Sequence, residues 1–75
     1  MKKSYYVKAV WDPEASVWIS ETDIPGLVIE ADTLAEFEQA MLQYAPEILA
    51  ANEGQGRASV YLDFSANARR ELALA

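Results

Sequence analysis

Apolar and polar residues alternate from Ser4 to Trp11, with Tyr5, Val7, Ala9 and Trp11 on one side and Tyr6, Lys8 and Val10 on the other. A period of two predicts a strand, and apolar groups on both sides predict a central one. Asp12-Pro13-Glu14-Ala15-Ser16 is a turn cluster, after which Val17 to Ser20 resumes as a second strand. The short connection predicts an antiparallel hairpin. Pro25-Gly26 then predicts a type II turn, because Pro25 sets φ for its second position and Gly26 accepts the positive φ of its third. Leu27 to Glu30 follows as a short third strand.

The period changes at Thr33. Leu34, Phe37, Met41, Tyr44, Ala45 and Ile48 recur at helical spacing and form one apolar stripe. Thr33 and Glu36 form a T-x-x-E capping box at the helix start. Pro46 lacks the amide that would bond back to Leu42, which predicts a kink, or a break with Pro46 opening a second short helix to Asn52. Gly54 is the expected stop, and residues 53–56 the expected loop. Ala58 to Ser65 alternates cleanly as a fourth strand, and residues 66–75 have helix-forming composition.

The order βββαβ implies an α+β domain over residues 1–65, with a short helical tail at 66–75. Two antiparallel steps and a right-handed helical crossover give a single mixed sheet of order 3-2-1-4. One helix covers one face only. The other face, expected to bear Trp18 or Trp11 and some of the tyrosines, needs a cover. The tail, a second copy or another protein could supply it, and self-association as a homodimer or larger homo-oligomer is the expectation.

Composition narrows the function. At 75 residues the chain makes one domain, and such a size buries only about 60% of its unfolded surface. Without cysteine or histidine it has no disulfides, no thiolate metal site and no usual general base. No cofactor is expected. The absence of a membrane-length apolar run or a signal-type N-terminus makes a cytoplasmic location the expectation. The net charge of −6 is unevenly laid out: no Lys or Arg occurs between Lys8 and Arg57, while ten Asp and Glu residues do. Such a midsection repels phosphate backbones and attracts a basic protein, though it also serves plain solubility.

The runs Tyr6 to Ala15 (containing W-D-P-E-A), Val17-Trp18, Asp23 to Val28 and Glu30 to Leu34 (containing P-G-L-x-x-E-A-D-T-L), with Pro46-Glu47, carry a family resemblance. Together they resemble the HicB-like superfamily, and within it a compact bacterial branch of unknown function. The resemblance covers roughly residues 5–64 and implies a partial ribonuclease-H-like fold. It further implies a non-enzymatic antitoxin that masks a small basic toxin which degrades messenger RNA; the alternative is a stand-alone homo-oligomeric scaffold or small-ligand-binding module without a toxin. Only ten residues follow Ser65, so a counterpart of the separate DNA-binding domain common in that superfamily is not expected here.

Candidate partner-binding residues are Trp18, Glu14, Glu21, Asp23 and Glu36, while Pro25, Gly26 and Thr33 are structural. Trp11 and Trp18 could form a contact surface or pack in the core. Tyr5, Tyr6 and Tyr61 could face solvent or the sheet. Arg69 and Arg70 suit pairing with acids of a neighbouring chain. A ribonuclease-H-like order also raises metal-dependent cleavage by Asp12, Glu30, Asp32 and Asp63, which requires these carboxylates to converge on two cations. Solvated acids at strand ends are the simpler account, and no enzyme and no metal site are expected.

Overall fold

The computed structural model describes residues 2–53 and 59–74. Five elements occur in the order β1 (Ser4–Asp12), β2 (Val17–Thr22), β3 (Glu30–Ala31), α1 (Leu34–Glu53) and β4 (Tyr61–Asn67). They form an α+β fold with one mixed sheet of order β3-β2-β1-β4. β1 pairs antiparallel with β2 and parallel with β4, and β2 pairs antiparallel with β3. Central β1 buries Tyr5, Val7 and Ala9 under the helix. From the helix come Phe37, Met41, Ala45 and Leu49.

The hairpin between β1 and β2 is shaped by Asp12. Its Oδ1 accepts the amides of Glu14 at 3.0 Å and Ala15 at 3.4 Å. Its carbonyl accepts the Ser16 amide at 2.8 Å. Ser16 closes the loop at φ 56°. At the second turn the Leu27 amide donates to the Ile24 carbonyl at 3.3 Å. Gly26 has φ +84°, and an added Cβ there would meet nothing within 4 Å, so glycine is required for backbone conformation and not for space.

The third strand is shorter than the pattern of Leu27 to Glu30 predicts. The Ser20 hydroxyl accepts the Ile29 amide at 2.9 Å, while the Ile29 carbonyl accepts the Ser20 amide at 3.0 Å. A side chain thus replaces one ladder carbonyl, and only Glu30–Ala31 pairs as strand. Leu27 and Ile29 still point into the core, and Val28 points out.

The helix is one element through Pro46, so of the kink or break expected there the break does not occur. Pro46 is exposed, as is Leu42, so the carbonyl it leaves unbonded lies on the solvent side. Ala45 and Leu49 flank it on the buried stripe and hold both halves to the same sheet. Tyr44, predicted on the stripe, is largely exposed, and Leu49 takes an inward position instead. Asn52 Nδ2 donates to the Pro25 carbonyl at 3.4 Å, tying the helix end to the turn. The expected stop at Gly54, the loop up to Gly56 and Ala58 lie outside the described residues.

β4 starts at Tyr61 and extends to Asn67, shifted toward the C-terminus from the predicted Ala58 to Ser65. The predicted tail helix does not form: 68–74 have no regular structure. A segment this short cannot repay helix nucleation without packing, and its leucines are exposed. The radius of gyration is 14.7 Å, against about 11 Å for a compact chain of this length. Among the described residues no helix is long and apolar enough to cross a membrane.

Candidate functional site

Residues paired across a sheet share a face, so register defines the side of the sheet that α1 leaves open. On that side Val10 pairs with Ile19, which in turn pairs with Glu30. Lys8 pairs with Glu21, and Asp12 with Val17. From β4, Asp63 stands beside Tyr6 and Tyr61 beside Ser4. Tyr6 and Ile19 are each 38% exposed and Tyr61 59%. Val10 and Val17 are half-buried between them. The open face is therefore an apolar and aromatic strip with four carboxylates around it: Asp12, Glu21, Glu30 and Asp63.

Its bases are held over rings. Lys2 Nζ lies 5.2 Å from the Tyr61 ring centre and Lys8 Nζ 5.7 Å from that of Tyr6. Lys8 also approaches Glu21 Oε1 at 3.9 Å, with both side chains about half exposed. A pair this exposed contributes little, so Glu21 stays available to a cationic partner, while Asp12 Oδ1 is engaged by the hairpin amides.

The expected contact residues do not gather into one patch. Trp18 is 9% exposed and belongs to the core. It pairs with Trp11 across the hairpin on the helix side, ring centres 5.3 Å apart at 62°. Neither tryptophan lies on the open face, because both share the phase of the buried residues of β1 and β2. Asp23 is committed to the fold: its Oδ1 accepts the Tyr6 amide at 2.9 Å, beside Thr22 Oγ1 donating to the Tyr6 carbonyl at 2.6 Å. Glu36 is committed to the cap. Its amide donates to Thr33 Oγ1 at 3.1 Å, and the Thr33 hydroxyl donates to its Oε1 at 3.2 Å. Glu14 is exposed in the hairpin loop, and Glu21 alone of the five stands on the open face.

Tyr6, Val10, Ile19 and Tyr61 line the open face; the sequence left Tyr6 and Tyr61 undecided between solvent and sheet, and did not single out Val10 or Ile19. The alternation that places Tyr6 and Val10 opposite Tyr5 and Val7 carries the signal for two of them. Tyr5, by contrast, is buried.

The carboxylates suggested for metal chemistry do not converge. Asp63 stands beside Tyr6, six residues along β1 from Asp12, which is roughly 20 Å at strand rise. Among the described residues, no group of three or more Asp or Glu could hold a metal ion.

The signature of a domain of unknown function, DUF1902, matches residues 4–74. The chain belongs to the DUF1902 family. No curated protein matches it significantly. This DUF1902 chain is similar to a hypothetical protein, TTHA1013, from the extremely thermophilic bacterium Thermus thermophilus, whose crystal structure is known. The two are 34% identical with a TM-score of 0.66, over 96% of this chain and 100% of that one.

Proposed function

We propose that this chain is a non-enzymatic protein-binding domain of HicB-like antitoxin type, which masks a small basic RNA-cleaving toxin. The observation that supports this reading is the open sheet face. Tyr6, Ile19 and Tyr61 offer apolar and aromatic contact area, and Asp12, Glu21, Glu30 and Asp63 surround it with negative charge. Interfaces favour such aromatic centres, and the carboxylates steer a basic partner onto them. Against a toxin whose RNA-binding surface is cationic, the same face would occupy the site that RNA uses.

The test is recovery of the tagged chain from its native host. A small basic protein should come with it in equal amount, leave at high salt and be toxic when expressed alone. Recovery without such a protein would refute the antitoxin reading. It would favour a self-associating scaffold without a toxin, a second reading supported by the outer edge of β4, along which no described strand lies.

A further inference from the structure

β4 is an edge strand, and its ladder shows which backbone groups face outward. The Tyr61 amide donates to the Lys3 carbonyl at 2.9 Å. In a parallel ladder Tyr61, Asp63, Ser65 and Asn67 therefore direct their backbone groups to β1. Leu62, Phe64 and Ala66 direct theirs outward, where no described strand lies. The edge Tyr61–Asn67 has no lysine or proline of the kind that guards exposed edges. The helix leaves this flank partly bare as well: Phe64 is 37% exposed, and so, at 47%, is Tyr44, seven residues after Phe37 on the same stripe. Beyond β4 the chain continues without regular structure, carrying Arg69, Leu72 and Leu74, with Arg70 held over the Trp11 ring of its own chain at 5.1 Å from the ring centre.

We propose that a second copy of this chain docks along β4, antiparallel, with the two-fold axis at Ala66. Two-fold pairing of a strand with itself requires a residue at the axis. At a hydrogen-bonded centre that residue must direct its backbone groups outward, which leaves Leu62, Phe64 and Ala66. Charge decides among them. Centred on Ala66, Asp63 of each copy stands opposite Arg69 of the other, and Leu72 opposite Val60. Glu71 stands opposite Tyr61, whose ring carries Lys2. Centred on Phe64, Asp63 meets Ser65 and Arg69 meets Ser59, and among the described residues no opposite charges pair. The Ala66 register also gives residues 68–71 strand partners. By strand phase it puts Leu72 on the helix side of the joined sheet, toward Val60 and Tyr44 of the other copy. The interface lies at the edge: it draws on Asp63 at the rim of the open face and leaves Tyr6, Val10 and Ile19 uncovered.

Sedimentation equilibrium on the purified chain tests this. The wild type should have twice the 8.3 kDa chain mass. Asp63→Arg and Arg69→Asp should each weaken the dimer at least tenfold, and the double exchange should restore it. Asp63→Arg brings the net charge of −6 two units nearer zero. General repulsion therefore predicts tighter association for that variant, where specific pairing predicts weaker. Circular dichroism checks that each variant is folded. Tyr44→Lys, on an exposed helix position, provides an independent disruption. A monomeric wild type, a dimer indifferent to both single exchanges, or a double exchange that fails to restore it would each overturn the proposal.

Discussion

Phe37 of the helix stacks on Phe64 of β4, with ring centres 6.0 Å apart and planes 22° from parallel. Phe37 is fully buried, whereas Phe64 keeps its outer side in solvent. The contact marks where the core ends: the helix reaches β4 through Phe37 and does not cover it.

Phe37→Ala should cost about 3–5 kcal/mol, most of the stability of a domain this small. Urea denaturation should find that variant largely unfolded, while Phe64→Ala keeps a cooperative transition. Equal losses at the two positions would contradict the boundary drawn here.

The two turns make opposite predictions. Gly26→Ala places a Cβ at φ +84° and should lose about 1–2 kcal/mol despite the open space around it. Ser16, already at φ 56°, should lose nothing on substitution by glycine and gain up to about 1 kcal/mol. Thermal midpoints of the two variants should therefore move in different directions, or only the first should move.

Much of this fold is legible in the sequence because local patterns and tertiary demands agree. The phase of Tyr5, Val7 and Ala9, the Pro25-Gly26 turn and the Thr33 cap each carry their own physical reason, and the sheet order follows from them. What the pattern hides is decided by long-range partners. Leu27 to Ile29 alternates correctly, yet the Ser20 hydroxyl takes a ladder bond and shortens β3. Pro46 reads as a kink or a break, yet its exposed position lets packing at Ala45 and Leu49 carry the helix through. The candidate site was harder to read. Tryptophan and acidic residues suggest contacts by type alone, but only register shows that Trp18 faces the helix and Ile19 does not.

Thr33→Ala removes the acceptor for the Glu36 amide and should cost about 1 kcal/mol. Glu36→Gln should cost less, because its side chain can still accept from the Thr33 hydroxyl. Denaturant midpoints at constant slope would verify the order. A larger loss at Glu36 would show a role outside the cap.

Adjacent residues of β2 separate folding from recognition. Trp18→Ala should lose about 3–5 kcal/mol from the core. Ile19→Lys, on the open face, should stay within about 1 kcal/mol of the wild type. Chemical denaturation of the pair checks this assignment of faces before any partner is known.

The most direct measurement is parallel capture from the native host with wild-type and Ile19→Lys chains, both confirmed as folded. The open-face account predicts one small basic protein bound in equal amount by the wild type and lost from the variant. Recovery of the same protein by both chains, or of none by the wild type, would contradict it.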